Sequence, residues 1–307
     1  LNALIAARNN AGLGSDPNSV LLVSEDAHSS FVKCIRVMGL DTRNLVRIKT
    51  DNQGRMDIND LRKSLDKCSI ENKKIFAIVA TLGTTVRGAI DPIKEISEIC
   101  KQRNIWLHID GSIGGIFAIT SIPIEGLNNI NQANSITINP QKIIGITKTS
   151  SLLLVSNMST LENTFNTGLP YISSKENIIN RGEIGIQGSR PAEVIKLWLG
   201  LRFLGLNGID DILKSSIKRK DFFIKNISKN KFDIYSGPLH IVSFLPKGLV
   251  PKDTDSWTKS KVNELMKNNF MLSRPKFKGK YFLRVVMGNY NTKESHIEEL
   301  LKLLDAY

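Results

Sequence analysis

The chain has 307 residues, 41% hydrophobic and 23% charged, which supplies an ordinary core and excludes a disordered polyelectrolyte. No apolar run approaches the roughly 18–20 residues that cross a bilayer, and the start carries no signal-peptide pattern. Three widely spaced cysteines (Cys34, Cys68, Cys100) without a CxxC argue against a disulfide framework or a zinc site and for a reducing, cytoplasmic compartment.

The net charge of +13 raises the question of nucleic acid. Lys and Arg are nevertheless spread along the chain beside Asp and Glu. The densest run, residues 214–225, falls on an amphipathic helix and reads as a solvated face. An anionic cofactor and an acidic substrate suit the same positive field. Neither a nucleic-acid nor a membrane partner is expected.

Residues 1–10 are helical in composition but begin abruptly, like a helix whose start is missing. Residues 20–24 form a short apolar strand, followed by EDAHSS and a helix closing near Gly39. Residues 44–49 alternate as a strand, and Asp57 caps a helix over 57–68. The continuous apolar run 75–81 is the pattern of a parallel strand covered on both faces. It leads into the loop LGTTVRGAIDP, and Pro92 opens a helix to about Arg103. Residues 105–110, IWLHID, form the next buried strand. Residues 135–138 end another, broken by Asn139-Pro140, and 151–155 follow as a strand.

Strands alternating with helices define an α/β fold, a mostly parallel sheet with helices on both faces. Residues 161–188 lack periodicity and read as a long loop of the kind that covers an active site. From Pro191 the rhythm changes. Two helices, 191–204 and 209–227, precede strands at 232–235, 240–245 and 281–287 and helices at 254–268 and 292–304. The division expected is a large domain over 1–190 and a hinge helix with a small C-terminal α+β domain over 191–307.

Four strand-end loops bring together His28, Thr81–Thr85, Asp110 and Lys142. Open α/β sheets bind ligands at such ends. Each residue has a bland role: His28 and Asp110 as caps, the threonines as turn residues, Lys142 as a surface lysine. Together they are the parts of a pyridoxal phosphate site: an amine for the aldehyde, a carboxylate for the pyridine nitrogen, an imidazole for the ring face, hydroxyls for its substituents.

The motifs SEDAHSSF, TLGTTVRGAIDPI, WLHIDGSIGG, SITINPQKIIGITKTSSLLLV, IQGSRPAEVIKLWLGLRFLG and YFLRVVMGN resemble, nearly end to end, the group II pyridoxal phosphate-dependent amino acid decarboxylases. These include the glutamate, cysteine sulfinate, 2,4-diaminobutyrate and aromatic amino acid enzymes. The resemblance implies a fold-type I pyridoxal phosphate enzyme, a homodimer with shared active sites. Its reaction would be decarboxylation of an L-amino acid to the amine through a Schiff base on Lys142. It makes His28 the stacking imidazole, Thr81 its neighbour beside the cofactor and Asp110 the partner of the ring nitrogen. Ser112, Asn139 and Gln141 join them as cofactor contacts. Arg284 matches an arginine associated with substrate carboxylate recognition in the glutamate-type members; the bland alternative is a strand-edge ion pair. With the ITKTSSLLLV continuation, it points to an acidic or otherwise polar substrate.

The proton donor is a tyrosine on a mobile loop in this family; here the loop offers Tyr171, with Lys175 nearer the matching position. Two departures stand out: Gln141 replaces the usual His before the lysine, and Ile113 replaces an aromatic residue. The glycine- and serine-rich phosphate loop that precedes the first helix in the family is absent, so the chain reads as the C-terminal two-thirds of such an enzyme. Aldehyde-forming or other lyase chemistry on the same fold, or a catalytically inactive remnant, are the alternatives.

Overall fold

A sheet of six strands in the order β2-β1-β3-β4-β5-β6 organises the computed structural model, which describes residues 1–147, 151–168 and 180–305. The chain enters through α1 (Asn2–Asn10), β1 (Ser19–Ser24), α2 (Ser30–Val37), β2 (Leu45–Ile48) and α3 (Ile58–Ile70). It continues through β3 (Lys74–Thr81), α4 (Ile93–Arg103), β4 (Trp106–Gly111), β5 (Ser135–Ile138) and β6 (Leu152–Val155). All neighbours pair in parallel except β5 and β6, which run antiparallel.

The runs SVLLVS and KIFAIVAT lack polar alternation because both faces are covered. Leu22, Ile78, Ala80 and Ile109 pack against Leu61 of α3 and Ile96 of α4. Leu21, Val23, Ala77 and Val79 pack against Leu4 of α1 and Ile35 of α2. Each large aliphatic side chain so buried contributes about 1.5–3 kcal/mol. The helix starts follow local chemistry. Asp57 accepts the Asp60 N–H at 2.9 Å at the head of α3, and Pro92 precedes α4, which ends on Asn104 in the left-handed region.

The second half contains α5 (Ser159–Phe165), α6 (Val194–Asn226), β7 (Phe232–Ser236), β8 (Ile241–Pro246), α7 (Thr254–Lys267), the short pair β9 (Lys276–Phe277) and β10 (Lys280–Tyr281), β11 (Leu283–Val286) and α8 (Glu294–Asp305). Strands β11-β8-β7 make an antiparallel sheet with its own core of Phe223, Phe232, Phe244, Leu283 and Leu301. The two helices expected from the sequence are the halves of α6, broken at Gly205, whose φ of 62° and ψ of 177° suit glycine. Ile209 and Leu213 of α6 belong to the large sheet's core and Phe223 to the small one, so this helix joins the two.

Three expectations need revision. The stretch 161–188 is not wholly loop, since α5 packs on α1 and Asn9 Nδ2 donates to Thr164 Oγ1 at 3.2 Å. With Leu161 its only buried residue, that helix leaves no periodic trace. Residues 214–225 are not uniformly solvated. Arg219 and Lys220 are 7% and 8% exposed, and Arg219 donates to the Met287 carbonyl at 3.0 Å. The strand expected over 281–287 is divided between β10 and β11.

Candidate active site

Strand order reverses between β1 and β3, since β1 leads outward to β2 and β3 leads inward to β4. Ligands of open α/β sheets settle in the crevice beyond the strand ends at such a point. His28 follows β1 and Thr81 ends β3. Thr81 pairs with Asp110, and Asp110 with Thr137, so three polar residues on adjacent strands project from one face of the sheet.

Asp110 is half-buried, and the Ser112 N–H donates to its Oδ1 at 3.1 Å. Lys142 closes a single helical turn, Pro140–Lys142, with its N–H on the Asn139 carbonyl at 3.1 Å. Although the lysine side chain reaches solvent, the surrounding protein presses its amine below the ordinary value. The Asp110 carboxylate pulls the other way. Asn139 Oδ1 accepts the Ser151 hydroxyl at 2.5 Å. Thr81 Oγ1 and Gln141 Oε1 are both buried without a partner. His28 is exposed, its Nδ1 accepting the Ser30 N–H at 3.2 Å, a local bond at the start of α2. Tyr171 and Lys175 lie outside the described residues.

Arg284 of β11 stands apart from this group. It donates to the Thr85 carbonyl at 2.5 Å and to Ser273 Oγ at 2.8 Å, and burial lowers its pKa. Those partners are uncharged, so the alternative of a surface ion pair does not hold. Arg284 ties the small sheet to the loop that begins at Thr81. Ser243 Oγ and the Gly237 N–H bind the next two carbonyls of that loop, Val86 and Arg87, each at 2.5 Å.

Two buried residues join the site that motif reading passed over. Asp91 accepts the N–H groups of Thr81 and Met56 at 2.7 Å each. Burial pushes its carboxyl up to about 7 against those two bonds. His108, two residues before Asp110 on the same strand, places Nδ1 2.8 Å from Ser135 Oγ and Nε2 3.3 Å from Thr137 Oγ1. Its imidazole is pushed down to about 4 by burial, with Asp110 opposing. The alternation in LHID already set His108 on the face of Asp110; what it met there depended on the neighbouring strand.

Comparison with known proteins adds three likenesses. Residues 11–244 match the family described as the pyridoxal-dependent decarboxylase conserved domain. The aromatic-L-amino-acid decarboxylase of Bacillus atrophaeus is 30% identical over 315 residues, covering 99% of this chain and 65% of that protein. The acidic amino acid decarboxylase GADL1 of Mus musculus is 27% identical over 316 residues, covering 96% and 57%. Among solved structures, mouse CSAD has a TM-score of 0.88 at 25% identity, covering 99% of this chain and 69% of its own. The chain thus spans less than two thirds of the length of these two curated relatives.

Proposed function

The chain belongs to the pyridoxal-dependent decarboxylase family, and from that premise we propose that it removes carbon dioxide from an L-amino acid with pyridoxal 5′-phosphate as cofactor. The observation that carries the reading is the row of Thr81, Asp110 and Thr137 in register at the strand ends, with Lys142 on the turn that follows β5. The residues fit the cofactor. Thr81 offers a buried, unpartnered hydroxyl that can donate to an anionic cofactor, and the carboxylate and amine are its two natural anchors.

The bound cofactor supplies an electron-poor ring that takes up the electron pair left when carbon dioxide departs. Asp110, oriented by the Ser112 N–H, would hold a proton at the ring nitrogen, because an adjacent negative charge favours the protonated form. A Lys142 amine with a lowered pKa is neutral in a larger share of molecules near neutrality, the form that attacks an aldehyde. His28 would cover the ring face, and Asn139 and Ser112 would line its edge. Tyr171 is the proposed donor of the final proton.

An acidic or polar substrate is supported by the net charge of +13 and by the likeness to GADL1; the Bacillus relative is named for aromatic substrates. We read residues 1–190 as the cofactor domain and 191–307 as hinge and small domain, which the separate cores support. A homodimer is supported by the apolar side chains that Val194, Trp198, Phe203 and Leu206 of α6 present to solvent at 64%, 59%, 90% and 70% exposure. Three free cysteines suit the cytoplasm, and among the described residues no helix is long and apolar enough to cross a membrane.

The test is to add pyridoxal 5′-phosphate, reduce with borohydride, locate the adduct by mass spectrometry, and screen amino acids for carbon dioxide release. An adduct on Lys142 and an amine product are expected. Labelling elsewhere, or an aldehyde with ammonia, overturns the assignment.

A further inference from the structure

We propose that His108 is a positioning residue of this site, locked as its neutral Nε2–H tautomer by a Trp106–Ser135 hydrogen-bond chain so that the Thr137 hydroxyl is left free to donate towards Asp110. The inference rests on the proposed function only in taking Asp110 as the partner of the cofactor ring.

The argument is a proton count along four side chains. An indole N–H can only donate, and Trp106 Nε1 lies 2.8 Å from Ser135 Oγ, so that oxygen accepts. Ser135 is 2% exposed, and its own hydroxyl proton needs an acceptor. His108 Nδ1, at 2.8 Å, is the nitrogen in reach. With Nδ1 accepting, a neutral imidazole carries its proton on Nε2. That nitrogen is 3.3 Å from Thr137 Oγ1 and donates to it. Thr137 is thereby an acceptor on one side and keeps its own O–H uncommitted, on the residue paired in register with Asp110.

Burial keeps the ring neutral, which the scheme requires, because a charged imidazolium would present a second donor to Ser135. The groups facing the ring are Asp110 on its own strand and Ser135 and Thr137 on β5. A backbone hydrogen bond at Ser135 acts to raise the ring's pKa, and burial outweighs it. A buried histidine that merely fills the core would leave the tautomer indifferent to Ser135. The proposal requires dependence.

Long-range proton–nitrogen correlation spectra of the protein without cofactor read the tautomer directly. The expected result is an acceptor Nδ1 and a protonated Nε2 that persist until the pH falls to about 4. Ser135→Ala should release the ring to a mixture of tautomers. A wild-type Nδ1–H tautomer, or one unmoved by Ser135→Ala, overturns the proposal.

Should Ser135→Ala fail to fold, Thr137→Val at its half-buried position serves in the cofactor-loaded enzyme. It should lower kcat about tenfold with KM little changed and shift the pH titration of the cofactor absorbance, and Thr137→Ser should restore both. Unchanged kcat and absorbance overturn the proposal. Failure of Lys142 to take up the cofactor, with the tautomer as stated, removes the functional reading alone. A reversed tautomer with Lys142 labelled removes only the inference.

Discussion

Asp91 and Thr81 hold each other twice: the Asp91 N–H donates to the Thr81 carbonyl at 3.0 Å, and the Thr81 N–H donates to Asp91 Oδ2 at 2.7 Å. This clasp closes the neck of the loop over residues 82–90. Its tip is held by the small sheet, through Arg284, Ser243 and Gly237 on three consecutive carbonyls. One end of the loop therefore sits at the Asp110 row, and the other is tied to β8 and β11.

Asp91→Asn should weaken the clasp without changing side-chain shape. An amide nitrogen cannot accept, so either the Thr81 or the Met56 N–H loses its partner in a fully buried setting. The expected loss is about 1–3 kcal/mol in urea-induced unfolding, with weaker cofactor retention through the displaced Thr81. Wild-type stability in the variant would show that the clasp carries no energy.

Asp26 gives a pH-dependent prediction. Its side chain is wholly buried, with Arg87 Nη2 at 3.7 Å. Burial, opposed by Arg87, raises its carboxyl from 3.8 to about 6. A carboxyl whose folded pKa lies above its unfolded value favours folding fully below 3.8, and that contribution is lost as the pH rises through about 6. At pH values above this window the ionised group costs of order 3 kcal/mol relative to its solvated form. Asp26→Asn should therefore flatten the stability curve over this window, raising stability on the alkaline side and leaving the acidic side unchanged. Equal curves for the two proteins would contradict this.

Arg284→Gln distinguishes a strap from a substrate anchor. Loss of charge-assisted bonds to the Thr85 carbonyl and Ser273 Oγ should lower unfolding stability by about 1.5–3 kcal/mol. An unchanged unfolding midpoint with a raised KM would make it a residue for the substrate carboxylate.

Phe203, 90% exposed on α6, tests the proposed dimer. Phe203→Asp should reduce self-association in sedimentation measurements, and with no intrachain packing to lose it should change monomer stability by no more than about 0.5 kcal/mol. Unaltered association would move the interface elsewhere.

The local sequence alone determined the order of strands and helices from α1 to β6. Continuous apolar runs such as IFAIVAT and the punctuation at Asp57, Pro92 and Gly205 act over a few residues. Motifs likewise singled out Lys142, Asp110 and Thr81, because strand-end chemistry is written in short stretches. Only the tertiary structure decided which side chains those residues meet. Strand register set Asp110 between Thr81 and Thr137 and brought Ser135 onto His108; packing of the small sheet turned Arg284 to the Thr85 carbonyl. Period-two alternation tells which face a side chain occupies, but a partner from a distant strand is selected by how the sheet assembles.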